Sequence, residues 1–296
     1  MPPARQTAQP APTTPPTLML FGAAAESGFS MGAARAAEEA GMAFQQSESL
    51  SDLTAYREKW EEAEKREKGE KTAAEKQTVL LLYADGEEDG AYLNEAAQLP
   101  AYAFCTEDGI GVLPEGMPGT VCAPGDSASL LLDAILAYPP YCAPVRMLGL
   151  MTHEDSPGAL RWKAAVEAGA VMSRGIYSQT GRDTSPGDWL KKQLASLYPG
   201  TVDCVYGETA ALALLAETAL TEAGRGDIRI FCDEVTPELL ARMEESTLLT
   251  AGAGIDEEEA GYACARSAIA LLTGGPAEKR TVLTPTVHFG ELRTNP

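Results

Sequence analysis

From residue 146 to residue 246 the chain repeats one pattern four times: a short, continuously apolar run followed by a longer stretch with helical spacing. RMLGLMTH leads into SPGALRWKAAVEAG, AVMSRGIYS into PGDWLKKQLASLYPG, TVDCVYGE into AALALLAETALTEAG, and DIRIFCDE into TPELLARMEES. A strand that is apolar along its whole length has both faces covered. Strands of that kind alternating with helices form a parallel sheet with helices on both sides. The connections are then right-handed crossovers.

The first half carries the same signals less regularly. TLMLFGA at 17–23 reads as a buried strand, and SMGAARAAEEAGMAF at 30–44 contains a helix closed by Gly41. Residues 52–77 predict a long charged helix with many Glu/Lys pairs four residues apart, a pattern of a solvated helix face. TVLLLYADG, AYAFCTED and GTVCAPG supply further strands, a short helix falls around 89–98, and SASLLLDAILAY closes this half as a helix. About ten such strands exceed one compact sheet, and YPPYCAP at 138–144 is a natural interruption. The expected fold class is therefore α/β, with two Rossmann-like lobes built on parallel sheets.

In open sheets of this type a ligand sits beyond the carboxyl ends of the strands. That rule selects the polar residues that follow the apolar runs: Glu26 and Ser27, Asp85, residues 106–108, His153, Glu154 and Asp155, Glu208, and Asp233 with Glu234. An ionised carboxylate accepts hydrogen bonds strongly and suits ligand hydroxyls or amines. The same positions are where a side chain caps the following helix, and both roles are open to each of them.

Composition narrows the function classes. The 296 residues carry 23 Lys and Arg against 43 Asp and Glu, a formal net charge of −20. Such a balance disfavours nucleic acid, whose binding rests on neutralising phosphates, and disfavours an anionic membrane surface. No apolar run is long enough for a transmembrane helix. Residues 1–16, MPPARQTAQPAPTTPP, lack the apolar core of a signal peptide and read as a flexible Pro/Ala/Thr-rich tether. The natural protein is expected to extend further in that direction. The six cysteines are scattered without a CxxC pair and read as small core residues, with one bridge conceivable between Cys105 and Cys122 on neighbouring strands. An enzyme would need a nucleophile with its base, a metal cluster or a phosphate cradle. The chain has only His153 and His288, no HExxH, no GxGxxG after the first strand, no Walker loop and no GxSxG elbow. No cofactor and no metal ligand set is expected.

Several segments together resemble the type I periplasmic binding proteins and the ligand-binding cores of repressors built on the same fold. Gly32-x-x-x-Ala36-Ala37-x-x-x-Gly41 is similar to that family's first helix, and ALRWKAAVEA, containing Arg161, to the first helix of its second lobe. YGETAALALLAETALTEAG places Glu208 where the family usually has Asp, and IRIFCDE places Asp233 at a characteristic ligand-binding Asp. STLLTAGAGIDEEEAGYACARSAIALLTG resembles the segment returning to the first lobe, and TVLTPTVHFGELRTN the closing strand. The order and spacing of these last matches carry the resemblance, which spans roughly 17–293.

The resemblance implies a three-crossing hinge, with 17–142 and 248–276 as lobe one and 146–246 and 281–296 as lobe two. It implies a protein without enzymatic activity, which closes its lobes over a small polar solute, a sugar first and a nucleoside second. Delivery would be to an ABC transporter or a membrane receptor, from a place outside the cytoplasm and tethered to the membrane. The ligand-binding residues it suggests are Arg161, Asp233 and Glu208, with Glu26, Ser27, Asp85 and Glu154 from the strand-end rule. Sugar-binding members often carry an aromatic after the first strand. Here GAAAESGF is shortened, Ala25 stands at that place, and Phe29 is the substitute. Ile255 stands where the family often has Gln. The other readings are a repressor's effector-binding core, which would need a DNA-binding module ahead of residue 1, and an enzyme working through its carboxylates.

Overall fold

The computed structural model describes residues 15–66, 77–106, 111–122, 127–139, 141–180, 184–274 and 279–290. Residues 1–14 of the expected tether, 67–76 of the expected charged helix and 107–108 lie outside them. The chain forms two units, one of residues 1–122 and 258–282 and the other of 123–257 and 283–296. It therefore passes three times between them.

Lobe one is built on a sheet of six strands in the order β2 (Ala43–Ser47), β1 (Thr17–Phe21), β3 (Thr78–Ala84), β4 (Ala101–Cys105), β5 (Gly119–Cys122) and β11 (Arg280–Leu283). The pairs from β2 to β5 are all parallel. Helices α1 (Gly28–Glu39), α2 (Asp52–Arg66), α3 (Gly90–Ala96) and α9 (Glu257–Thr273) belong with it, α9 joining at Glu258. Leu18 and Leu20 on β1, and Val79 and Leu81 on β3, are all fully buried. Burying each such side chain contributes about 1.5–3 kcal/mol.

The returning helix α9 meets α1 backbone to backbone. A Cβ at Gly32 would lie 1.9 Å from the Glu258 carbonyl oxygen, and one at Gly261 would lie 2.1 Å from that of Phe29. Glycine is therefore a steric requirement on both helices. Arg35 fixes the pair further: it bonds Glu258 and Glu259 at 2.6 Å each and lies 4.5 Å over the ring of Tyr262.

Lobe two repeats the strand order in β7 (Val171–Ser178), β6 (Val145–Met151), β8 (Cys204–Gly207), β9 (Arg229–Cys232), β10 (Leu249–Gly254) and β12 (Thr286–Phe289). β12 runs antiparallel to β10 and the other pairs are parallel. Helices α4 (Ser127–Ala137), α5 (Pro157–Glu167), α6 (Pro186–Ser196), α7 (Ala210–Glu222) and α8 (Pro237–Glu245) cover it. The helix starts follow local chemistry. Ser156, Ser185 and Thr236 each accept a hydrogen bond from the backbone N–H three residues on, with Pro in the first turn. A capping hydroxyl satisfies one of the otherwise unpaired first-turn donors, and Pro there has no donor to waste.

Three spans of the expected division are corrected, the shortest being 281–282, which lies in β11 of the lobe-one sheet. Helix α4 belongs to lobe two, because its apolar face (Leu131, Leu132 and Ile135) is buried with Val145, Met147, Trp162 and Phe231. Strand β10 also belongs there, because its hydrogen-bonded neighbours are β9 and β12. The chain thus leaves lobe one at 122/123, before the YPPYCAP segment, and returns at 257/258, after β10. None of the six cysteines forms a disulfide. Cys105 pairs in register with Val121, so the Cys122 side chain points to the opposite face of the sheet. Burial pushes the Cys105 thiol up to about 11.

Candidate functional site

Both sheets have the strand order 2-1-3-4-5, in which ligands gather where the crossovers change side, between the first and third strands. In lobe two that place lies between the ends of β6 and β8, and it is bridged by a side chain. Glu208, directly after β8, accepts hydrogen bonds through Oε2 from the Thr152 N–H at 2.7 Å and the Thr152 hydroxyl at 2.6 Å. Its own N–H donates to the Leu150 carbonyl at 2.9 Å, extending the ladder by one residue. The carboxylate is therefore held in one position. One strand further, the Asp233 N–H donates to the Gly207 carbonyl at 2.9 Å, and Asp233 Oδ2 accepts from the Tyr206 hydroxyl at 2.8 Å. Tyr206 is 1% exposed. Burial, then the negative charge of Asp233, drives its hydroxyl far above the ordinary phenol range, so it stays a donor.

The start of α5 closes on this pair. A Cβ at Gly158 would lie 2.6 Å from the Tyr206 hydroxyl and 2.8 Å from Glu208 Oε1. Glycine there lets the positive end of the helix approach the carboxylate, a favourable arrangement for an anion. Arg161 is exposed and lies three residues beyond Gly158, on the flank of α5 that Gly158 turns towards Glu208. Side chains on a helix lean towards its N-terminus, which for Arg161 is the strand-end side. Glu154 is exposed in the β6–α5 loop, and its carbonyl accepts from Lys163 Nζ at 2.6 Å. Glu234 takes a structural role, its Oε2 accepting from the Ala210 N–H at the start of α7 at 2.6 Å.

In lobe one the strand-end residues mostly hold their own loops. Ser27 caps α1: its hydroxyl accepts from the Ser30 N–H at 3.2 Å and donates to the Ala24 carbonyl at 2.8 Å. Glu48 accepts from the Ala25 N–H at 3.1 Å, and Gln46 donates to the Ala23 carbonyl at 2.8 Å, so β2 fixes the β1–α1 loop. Glu26 is exposed in that loop. Asp85, exposed after β3, accepts from the Thr106 hydroxyl at 2.9 Å.

Phe29 is a correction. It is fully buried, with Tyr83 edge-on at 5.0 Å and Phe104 at 4.7 Å between ring centres. Its faces are taken up by the core, because the first turn of α1 directs it onto the sheet beneath. It offers no stacking surface to a ligand.

The structure thus brings Glu208 and Asp233 together through Tyr206 and Gly158. Two partners of this group went unread in the sequence. Tyr206 looks like a core aromatic in an apolar run, and Thr152 looks like the last residue of a strand. The one signal available was the pairing rule itself: residues that end neighbouring parallel strands face each other. Among the described residues no group of His, Cys, Asp and Glu is arranged to hold a metal ion.

No family model matches the chain, and no curated protein matches it in sequence. Solved structures do match in fold. A solute-binding protein of an ABC transporter from Bradyrhizobium sp. BTAi1, with bound bis-tris, is 15% identical at a TM-score of 0.61, over 95% of this chain and 85% of its own. A sugar ABC transporter protein from Yersinia enterocolitica subsp. enterocolitica 8081 is 13% identical at 0.58, over 95% and 84%. The 5-methylthioribose transporter solute-binding protein from Thermotoga lettingae TMO, in complex with 5-methylthioribose, is 15% identical at 0.57, over 95% and 88%. The strand order, the two lobes and the three crossings agree with this likeness: the chain has the fold of the type I periplasmic binding proteins.

Proposed function

We propose that this chain is a solute-binding protein without enzymatic activity, which takes up a small polyhydroxylated ligand, a sugar or sugar-like solute. The observation that carries the reading is the pair of positioned carboxylates, Glu208 and Asp233, at the carboxyl ends of β8 and β9. Each is oriented by a neighbour's hydroxyl, which leaves acceptor capacity for ligand hydroxyls at defined angles. Arg161 supplies a donor fork that suits paired hydroxyls. Sugar ABC transporter proteins and a complex with 5-methylthioribose among the fold's relatives support the same class of ligand.

In this reading Glu26 and Asp85 are further ligand-binding candidates, with Ser27 holding its loop. A ligand shifts the protein between states only by its differential affinity for them. A membrane transporter or receptor then recognises the ligand-bound form, and the protein works outside the cytoplasm. Among the described residues no helix is long and apolar enough to cross a membrane.

The test is thermal unfolding of the purified chain against pentoses, hexoses, polyols, nucleosides and amino acids. A ligand bound only by the folded state stabilises it by about 2.7 kcal/mol at a hundred times its Kd. A saturable rise in Tm with a sugar or polyol, removed by Asp233→Ala and by Arg161→Ala, is the expected outcome. A rise with none of these solutes, once copurified ligand has been removed by unfolding and refolding, would overturn the proposal.

A further inference from the structure

Glu208 and Asp233 are both held by hydroxyls, and the sense of those bonds restricts what can meet them. Gly207 and Cys232 are in register across β8 and β9, and the ladder continues from the Asp233 N–H to the Gly207 carbonyl. Glu208 and Asp233 therefore stand side by side on one face of the sheet. Neighbouring strands lie about 4.8 Å apart, a spacing that two adjacent hydroxyls of one small solute can span. Tyr206, two residues before Glu208, shares that face, and its hydroxyl reaches Asp233 Oδ2 at 2.8 Å.

A phenol has one proton to give. Burial keeps that proton on Tyr206, and the bond to Asp233 commits it. A carboxylate that receives such a bond is favoured in its ionised form, and an ionised carboxylate accepts hydrogen bonds but donates none. Glu208 is placed likewise, receiving the Thr152 N–H at 2.7 Å and the Thr152 hydroxyl at 2.6 Å. A solute group set against the pair must therefore bring its own proton. A hydroxyl or an ammonium does so. A carboxylate oxygen instead sets lone pairs against lone pairs and charge against like charge, a repulsive element of the kind that excludes a wrong partner.

We infer that Tyr206 is the positioning residue that makes this end of the site donor-selective: acting through Asp233, it admits hydroxyl and amino groups of a solute and rejects the oxidised counterparts that carry a carboxylate. The inference rests on the sugar-class reading of Glu208 and Asp233, and adds to it which sugar derivatives are excluded. Arg161 alone among the proposed ligand contacts is cationic, so a carboxylate that did bind would meet it there.

Titration calorimetry of the full chain with D-ribose, D-xylose and D-glucose, each beside its aldonate, and with D-glucosamine tests it. A sugar that binds should bind at least about 10-fold more tightly than its aldonate, the worth of a hydrogen bond to a charged group. D-glucosamine should bind no more weakly than D-glucose. The net charge of −20 also repels an aldonate, so the deciding readout is a variant that leaves charge alone. Tyr206→Phe should narrow the sugar-to-aldonate ratio at least about 3-fold, because Asp233 is then freed to turn or to take up a proton. Tyr141→Phe removes another lobe-two hydroxyl, bonded at 2.8 Å to the Asp203 carbonyl, and should leave the ratio unchanged. Asp233→Asn, whose amide can donate, should narrow it further than Tyr206→Phe. A ratio that Tyr206→Phe leaves at its wild-type value, or that Tyr141→Phe narrows equally, would overturn the inference while the sugar-class reading stands. An aldonate bound by the wild-type chain as tightly as its sugar would do the same. Binding of none of these probes would overturn the inference too, and the thermal screen with its wider set of sugars and polyols decides the sugar-class reading separately.

Discussion

The two lobes lay their first five strands in the same order, yet they use the ends of those strands differently. In lobe one, the polar side chains there mostly hold loop backbone: Ser27 caps α1, Glu48 accepts from the Ala25 N–H and Gln46 donates to the Ala23 carbonyl, while Asp85 accepts from the Thr106 hydroxyl at the next strand end. In lobe two, side chains reach across strands, from Glu208 to Thr152 and from Tyr206 to Asp233. A loop-holding bond fixes backbone and not the side chain that protrudes from the loop, here Glu26. A strand-to-strand bond fixes the carboxylate itself, because both anchors belong to the hydrogen-bonded sheet. The same topology therefore yields mainly braced loops at the strand ends of one lobe and oriented carboxylates at those of the other.

The harshest way to break the comparison is at the lobe-one helix pair. Gly261→Val places carbon against the Phe29 carbonyl, and backbone cannot yield as a flexible side chain can. A loss of about 4 kcal/mol or more is expected, in the range of severe core overpacking, read as a fall in the urea midpoint. Retention of wild-type stability would mean that α9 can slide on α1. Trp162 and Trp189 both lie in lobe two and Trp60 in lobe one. In a Trp60→Phe background, fluorescence therefore follows lobe two alone and shows whether damage in lobe one spreads.

Asp233→Ala comes next. It should weaken the solute found in the thermal screen about 10- to 100-fold, the worth of hydrogen bonds to a charged group, measured by titration calorimetry. Asp85→Ala in lobe one should weaken it less, since Asp85 is exposed and screened. Equal losses would remove the distinction between the exposed and the oriented carboxylate. Ser27→Ala is a smaller change: it should lower stability by about 1 kcal/mol through the lost cap. It should leave ligand affinity nearly unaltered, as a thermal titration with and without ligand would show.

The smallest effect concerns acid. Hydrogen bonds from Arg146 hold the Asp203 carboxyl below its usual range although burial works against them, and Arg225 holds that of Asp227 down in the same way. Both lie in lobe two. A depressed folded pKa adds stability above the unfolded value, near 4, and loses it as pH falls through the folded one. Arg146→Gln should therefore flatten the acid side of the lobe-two stability curve. The effect should be under about 1 kcal/mol, because Arg146 is 38% exposed and solvent screens the pair. Urea unfolding followed by tryptophan fluorescence between pH 6 and pH 3 reads it, and an unchanged slope would show that Asp203 does not contribute.

By itself the sequence determined the fold class and most of lobe two. Continuously apolar strands, helices opened by Ser-Pro and Thr-Pro, and the polar residues just past each strand are local features, set by one residue and its near neighbours. That is why Glu208 and Asp233 could be named before any coordinates, and why the helices from α5 to α8 fall where the spacing puts them. What only the tertiary structure decided depends on which surface covers which. Helix α4 is apolar enough for either lobe, and its partner was set by Val145, Trp162 and Phe231. β10 reads like any buried strand, and its sheet was set by hydrogen bonds to β9 and β12. Phe29 looked available because it follows a strand, but a helix's first turn points it inward onto Tyr83 and Phe104. The Tyr206 hydroxyl orients Asp233 only because two parallel strands bring it within 2.8 Å. Short-range chemistry is written residue by residue along the chain, whereas the choice among equally apolar partners is a competition for burial that only the packed molecule resolves.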